Sequence, residues 1–313
     1  LINRIGKDHP SLIIYPAVVD SRTASLVEQP QYHQIMADLQ SHSPTLVKEV
    51  TLMINEFSRM ALMWEEKCIV TLRQIQSDVL NSRLKRIKEE MKRIDRNSSL
   101  TSEEKEELVK DTYDTIMRPL VVKLARLLKD VEENPTTPYE RRIREIYGDL
   151  LKSAFDAFCN PRNYRHIDQH QIFEPFKELI RRITRNSRRS THRLSSLSPV
   201  LANTKSSSIP IPKLQSHIAS ENTVVTIQSF EPTVFVLPSK TKPKKLVMRG
   251  SNGCRYAYLL KGREDLHLDE RIMQLLTIVN QTLNRHSDTA FRSLRARNYA
   301  VIPISNNSGL IQW

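Results

Sequence analysis

The chain has 313 residues, of which 39% are hydrophobic and 27% are charged, and its formal net charge is +13. No apolar run approaches the roughly 18 residues of a membrane span, and no signal peptide is visible, which argues against integral membrane and secreted proteins. Only 6 glycines, in a chain rich in Leu, Ile, Lys, Arg and Glu, favour a mostly helical protein. The first residue is not Met, so we expect a piece of a longer protein.

The 3 cysteines are Cys68, Cys159 and Cys254. Their wide separation and odd number exclude a disulfide framework and a CxxC metal clip. We therefore expect reduced thiols in an intracellular protein. Because no Cys/His pair has zinc-ligand spacing, we predict no metal site in the chain.

The N-terminal two thirds of the chain predict helices. Residues 1–20 resemble the tail of an upstream helical domain, and residues 21–42, rich in Ser, Gln and His, resemble a connector. Residues 43–200 then carry four long segments with apolar residues at three-to-four spacing, separated by short breaks. We predict a four-helix bundle with an enlarged helical insert, whose last helix runs from near Ile172 to about Leu197.

Start signals mark the predicted bundle helices. Ser43 is followed by Pro44, which suits the first position of a helix. Two capping boxes follow, in which Thr101 or Thr137 has a Glu three residues later. The aromatic residues of the helical stripes are better explained as core than as a ligand site.

Basic residues cluster on two of these segments, between Arg83 and Arg96 and between Arg181 and Arg193. Both clusters can be solvated helix faces, since acidic residues are interleaved in the first. Contact with RNA, phosphate or an acidic partner is the alternative. No interleaved aromatic residues support base stacking, which argues against direct nucleic-acid binding.

The pattern changes from helical to strand-like after a linker at residues 201–221. From residue 222 to 313, short β-type runs replace the helical period, and one helix spans roughly Asp269–Leu283. The predicted strands are Val224–Ile227, Thr233–Leu237, Lys245–Met248, Tyr256–Leu260, Tyr299–Ile302 and Leu310–Ile311. Short antiparallel strands with one helix between them follow the plan of a kinase N-lobe, so we predict an α+β protein.

One lysine of this region has the context of a phosphate ligand. Lys261 ends an apolar strand, and acidic residues open the helix that follows, which is how kinases hold nucleotide phosphates. Every charged residue from Pro232 to Arg263 is basic, including the turn Lys240–Lys245. This turn could attract phosphates, although it lacks the Gly-rich loop of common protein kinases, and a solvated basic hairpin is the alternative.

Three segments resemble the phosphatidylinositol 3-kinase-related protein kinases: Pro238–Gly253, Leu259–Arg271 and Tyr299–Trp313. Upstream, Glu56–Glu66 and Ile146–Asp149 look like the four-helix FRB-type domain of that family. The resemblance implies an FRB-like bundle followed by a kinase N-lobe, in a serine/threonine kinase that transfers the γ-phosphate of ATP. It also implies Mg²⁺, whose ligands, like the catalytic loop, belong to a C-lobe beyond this chain, so we expect the chain alone to be inactive.

Two branches of the family compete. The basic turn and the segment Glu264–Gln274 are most similar to the branch that acts in nonsense-mediated mRNA decay, whereas Val301–Gly309 is equally similar to the target-of-rapamycin branch. We favour the decay branch. It implies phosphorylation of Ser or Thr before Gln on the RNA helicase of that pathway, other decay factors as partners, no membrane partner, and a cytoplasmic or nuclear location.

The resemblance also assigns residues. Lys261 matches the phosphate-binding lysine and is the predicted catalytic residue, and Glu264 or Asp269 should pair with it or orient it. The full set of predicted ATP-binding residues is Leu237, Ser239, Lys240, Leu259, Lys261, Glu264, Asp269, Tyr299, Ile311, Gln312 and Trp313. Cys68 falls where relatives carry a second tryptophan, which puts binding of rapamycin-type ligands in doubt. A non-catalytic partner module or an RNA-binding module remains the alternative for the isolated chain.

Overall fold

The computed structural model describes residues 6–23, 29–133, 135–161, 163–164, 169–186, 190–212 and 224–313. The chain divides into two compact units. The first, the sheet unit, consists of Leu1–Leu62 and Ser190–Trp313, and the second, the helical unit, is Met63–Arg189. Long helices and an antiparallel sheet together confirm the predicted α+β class.

The secondary structure can be given in chain order. The helices are α1 (Pro10–Thr23), α2 (Gln29–His42), α3 (Pro44–Ala61), α4 (Trp64–Asp78), a π-helical turn (Val79–Arg83), α5 (Leu84–Arg96), α6 (Ser102–Glu132), α7 (Pro138–Cys159), α8 (Gln169–Asn186), α9 (Leu194–Leu197), α10 (Pro199–Ala202), α11 (His267–Arg285) and α12 (Ser287–Phe291). The strands are β1 (Thr191–Arg193), β2 (Ile227–Phe230), β3 (Thr233–Val236), β4 (Lys244–Gly250), β5 (Arg255–Gly262), β6 (Val301–Ser305) and β7 (Ser308–Gln312). Among the described residues, no helix combines the length and the apolar character needed to cross a bilayer.

The helical unit is held by one apolar core to which α4 to α8 all contribute. Both predicted capping boxes are present, at Thr101 on α6 and at Thr137 on α7. Each satisfies backbone N–H groups that the first turn of a helix leaves unpaired. Within the core the Tyr113 hydroxyl donates to the Phe158 carbonyl at 2.6 Å, and the rings of Trp64 and Tyr147 stack 5.7 Å apart.

Two helix predictions differ from the structure. The first predicted bundle helix ends at Ala61 and groups with the sheet unit, so the helical unit begins only at Met63. The last bundle helix ends at Asn186 rather than near Leu197, and Thr191–Arg193 form strand β1. The second prediction was wrong because β1 gains its hydrogen bonds from β3, far along the chain, and no local pattern reports that pairing.

Segments predicted as connectors also contain regular structure. Residues 21–42 include α2, and the linker 201–221 includes residues that pair with the sheet. The Ile227 amide donates to the Ile209 carbonyl at 2.8 Å, and the Ile211 amide donates to the Val225 carbonyl at 2.9 Å. Residues 213–221 lie outside the described part of the chain.

The sheet has seven antiparallel strands in the order β1-β3-β4-β5-β7-β6, with β2 paired to β4. Side chains alternate between its two faces. One face is buried and carries Leu246, Tyr258, Leu260 and Leu310. Helix α3 packs against β5, β6 and β7, and the rings of Phe57 and Phe230 lie 6.1 Å apart.

Candidate functional site

The half-exposed face of the sheet brings together several of the predicted site residues. We call it the site face and define it by Lys245, Leu259 and Lys261. In the register, Leu259 lies directly between Lys245 of β4 and Ile311 of β7, so these three share one row. Lys261 lies opposite Gly309 on the same face, one row further along β5.

Lys261 forms an ion pair with Glu264. Its Nζ lies 2.7 Å from Glu264 Oε2, and the two side chains are 27% and 31% exposed. Partial burial strengthens the attraction relative to a fully exposed pair, yet it leaves the amine open to a further anionic group. The pair therefore holds the Lys261 ammonium group in one position at the edge of the sheet.

A tight turn after β5 brings Glu264 back to Lys261. Arg263 adopts a left-handed backbone conformation with φ of 63°, which is uncommon for a residue that has a Cβ. The Glu264 amide then donates to the Asn307 carbonyl at 3.2 Å, in the turn between β6 and β7. Because this conformation costs free energy, the surrounding contacts must hold the turn in place.

Two residues fix the start of helix α11 beside this turn. Leu266 is buried, and a Cβ on Gly309 would lie 2.7 Å from its Cδ1 and 2.7 Å from the Ile302 carbonyl oxygen. Because that backbone oxygen cannot easily move aside, only glycine fits at this position next to Lys261. Asp265 accepts a hydrogen bond from the His267 amide at 3.1 Å and lies 2.5 Å from Nδ1 of the His267 ring. The hydrogen bond from His267 lowers the pKa of the Asp265 carboxyl below its ordinary value.

Two further predicted site residues, Asp269 and Tyr299, are more exposed than the ion pair. Asp269 is exposed in the first turn of α11, and in the described part of the chain it has no hydrogen bond or ion pair. Tyr299 is 38% exposed and lies just before β6. Of the two carboxylates considered for Lys261, it is Glu264 that the structure brings to it.

The last predicted residues lie at the end of β7. The Gln312 side-chain oxygen accepts a hydrogen bond from the Ala300 amide at 3.1 Å, so this side chain is used within the sheet. The Trp313 amide donates to the Ala257 carbonyl at 2.9 Å, and its ring is 62% exposed. Lys245 Nζ lies 4.8 Å from the centre of that ring, within reach of a cation–π interaction.

The basic turn between β3 and β4 adjoins the Lys261 turn. Leu237 is half-buried, whereas Ser239 and Lys240 are exposed. Arg263 Nη2 donates to the Lys240 carbonyl at 3.4 Å, which links the two turns. Lys240 and Arg263 are exposed and Lys261 is partly exposed, so this corner of the sheet is electropositive, which suits a polyanionic ligand.

Comparisons with known proteins identify the family of the chain. The family model for phosphatidylinositol 3- and 4-kinase matches residues 255–313, from the start of β5 to the end of the chain. The serine/threonine-protein kinase SMG1 of Danio rerio is 35% identical over 285 residues, which are 90% of this chain and 8% of that protein. Smg1 of Drosophila melanogaster is 34% identical and mTor of the same organism is 32% identical, each over 100% of this chain.

The chain belongs to the phosphatidylinositol 3-kinase-related protein kinases. It spans between 8% and 11% of the length of these three relatives. The matches support the family that the sequence suggested, and the family model itself begins at Arg255, after the basic turn. Its SMG1 and TOR branches, both similar over the whole chain or nearly so, are the two that the sequence suggested.

Sequence reasoning missed two lysines of this family member. Lys245 was predicted to end the basic turn and begin a strand but not to belong to the site, yet it lies in the row with Leu259 and contacts the Trp313 ring. Lys244 is 0% exposed and lies on the opposite face. Successive side chains of β4 point to opposite faces of the sheet, so the two neighbouring lysines lie on different faces. The alternation of a strand that begins at Lys244 was the sequence signal that could have placed one lysine on each face.

Proposed function

We propose that the sheet unit is the nucleotide-binding lobe of a protein kinase that transfers the γ-phosphate of ATP to serine or threonine hydroxyl groups. The observation that carries this proposal is the 2.7 Å ion pair between Lys261 and Glu264. In protein kinases a strand lysine paired to a nearby glutamate holds the nucleotide phosphates, and both partners must be in place for transfer. Membership of the kinase family gives the proposal its chemistry.

The site face offers complementary surfaces to the two ends of ATP. Leu259 and Ile311 present a half-exposed apolar row to the adenine ring, with Leu237 as a further wall. Beyond Gln312, the backbone at Trp313 would read the edge of the base. At the other end, Lys261 would clamp phosphate oxygens and offset the charge that develops during transfer.

Other predicted residues have secondary roles in this proposal. Ser239 and Lys240 would cover the phosphates from the basic turn. Asp269 and Tyr299 would line the depth of the cleft near the phosphates. Mg²⁺ supplies charge neutralisation between the β- and γ-phosphates in kinases, but no group of three or more His, Cys, Asp or Glu side chains in the described part of the chain could hold a metal.

We infer the substrate from the branch of the family. The similarity to proteins named SMG1 supports action in nonsense-mediated mRNA decay, with phosphorylation at Ser or Thr before Gln on the RNA helicase of that pathway. Other decay factors would be partners, in the cytoplasm or the nucleus. The alternative is a target-of-rapamycin-type kinase, supported by the similarity to mTor.

We propose that the helical unit is the FRB-type bundle of this kinase and acts as a partner or substrate gate. Cys68 is fully buried in its core, so a surface tryptophan contact is not available at that position. The basic cluster between Arg181 and Arg193 gives little support for RNA binding by this unit. Arg181 and Arg182 form ion pairs with Glu178, which partly neutralises the basic face.

The test is the Lys261→Met variant in the full-length protein. Methionine keeps the length and the apolar stem but removes the charge, so phosphorylation should be abolished while the fold stays near wild type. The matched control is Lys205→Met, an exposed lysine elsewhere in the sheet unit. Normal phosphorylation rates in the Lys261→Met protein would remove Lys261 from its role and the proposal with it.

A further inference from the structure

A second lysine lies buried directly behind the site. Lys244, the first residue of β4, is 0% exposed, and its Nζ donates a hydrogen bond of 2.9 Å to the Ala61 carbonyl. The two residues are 183 positions apart in the chain. Buried lysines are rare unless they are paired, so this contact needs a reason beyond packing.

The acceptor is the end of a helix. Ala61 is the last residue of α3, where carbonyl groups have no partner within the helix. The negative end of the helix dipole adds to their attraction for a donor, most strongly for a cationic one. Lys244 therefore caps α3 from the sheet and fixes where the helix ends.

The same carbonyl lies against β5, one residue from Lys261. A Cβ on Gly262 would fall 2.4 Å from the Ala61 oxygen and 2.9 Å from its carbon. Only glycine allows the helix end to approach this closely. The end of α3 is thus pressed on the peptide that joins Lys261 to the turn carrying Glu264.

We propose that Lys244 is a positioning residue for the phosphate-binding pair. By holding the Ala61 carbonyl against Gly262, it sets the place of the Lys261 backbone and hence the distance between Lys261 and Glu264. The inference rests on the proposed function, because it assigns to Lys244 an effect on ATP use.

The experiment compares Lys244→Met, Lys244→Gln and Lys244→Arg in the full-length protein. Methionine removes the donor, glutamine keeps a shorter uncharged one, and arginine keeps a charged one. Lys205→Met serves as the exposed lysine control. For each variant, kcat and KM for ATP are measured, together with hydrogen exchange of the segment 259–264 and of the helical unit.

Lys244→Met should lower kcat/KM for ATP about ten- to a hundredfold, the order of loss that a misplacement of about 1 Å causes. Exchange should rise in the segment 259–264 and stay unchanged in the helical unit. Lys244→Arg should recover most of the activity, and Lys244→Gln should lie between the two. If Lys244→Met does not fold, the other two variants test the proposal, which predicts a higher kcat/KM for Lys244→Arg than for Lys244→Gln.

Wild-type kinetics and wild-type exchange at 259–264 in Lys244→Met, or equal kinetics in Lys244→Arg and Lys244→Gln, would overturn the inference. Uniform loss of protection with unchanged kcat and KM would show a merely structural role and would overturn it too. These outcomes can be distinguished from failure of the proposed function. If the proposed function is wrong, the Lys261→Met protein will phosphorylate its substrate at the normal rate.

Discussion

Replacing Glu264 by glutamine distinguishes the contribution of the ion pair to catalysis from its contribution to stability. Lys261 Nζ lies 2.7 Å from Glu264 Oε2, but the two side chains are still 27% and 31% exposed to solvent. Partly exposed pairs of this kind contribute about 0.2–1 kcal/mol to stability. Glutamine keeps the shape of the side chain, so we expect a loss at the lower end of that range.

The catalytic effect should be larger. Without the carboxylate, Lys261 is no longer held toward the phosphates, and the pair must be in place for transfer. We expect kcat for peptide phosphorylation to fall about a hundredfold, which corresponds to about 2.7 kcal/mol on the activation barrier. The melting temperature should move by less than about 2–4 °C, the shift that 1 kcal/mol causes in a domain of about 150–250 residues.

Glu231→Gln is the matched control. Glu231 forms ion pairs with Arg255 and with Arg249, and its Oε1 lies 2.6 Å from Arg255 Nε. Arg255 begins β5, at the opposite end of the strand from Lys261, so this change removes ion pairs of the same sheet at a distance from Glu264. Both variants should stay folded with modest losses of stability, and only Glu264→Gln should have a lower kcat. Equal kcat values in the two variants would refute the role assigned to Glu264.

Three further predictions concern the helical unit and the cysteines. Phe158→Ala should cost about 3–5 kcal/mol because the ring is fully buried among other aromatic rings, and calorimetry that shows no lowered transition would contradict that packing. A thiol reagent should label exposed Cys254 quickly and Cys68 only on unfolding, since burial raises the pKa of the Cys68 thiol; fast labelling of Cys68 in folded protein would argue against its burial. The hydrogen bond from Arg83 lowers the pKa of Asp78, so the pair stabilises the fold above the ordinary carboxyl pKa and this stability is lost as pH falls through the lowered value. Replacement of Asp78 by asparagine should flatten the fall in melting temperature below about pH 4, and an unchanged acid profile would count against the pair.

Local chemistry made part of the fold predictable. The capping boxes at Thr101 and Thr137 depend on residues three apart, and both helices begin where the sequence places them. The ends of the predicted strands from Thr233 onward lie within three residues of those of β3 to β7 for the same reason, because their alternation is local.

Long-range partners made the rest unpredictable. The burial of Lys244 depends on a carbonyl 183 residues away, and no feature near Lys244 reveals it. The strand at Thr191–Arg193 exists because β3 lies beside it. Asn280 is similar: it is buried in α11 because its side chain exchanges two hydrogen bonds with the Ala296 backbone. At the site, the place of Lys261 at the end of a strand could be predicted from the local pattern. The contact of Lys245 with the Trp313 ring could not, because it depends on the pairing of β4, β5 and β7.

The most direct test of the account is labelling with an acyl-phosphate derivative of ATP, which transfers its acyl group to a lysine amine beside the bound phosphates. Mass spectrometry of the labelled full-length protein identifies the lysine without any need for turnover. The account predicts that Lys261 carries the acyl group and that excess ATP prevents its labelling. Labelling of Lys261 that ATP does not reduce, or ATP-protected labelling only of lysines away from the site face, would contradict it.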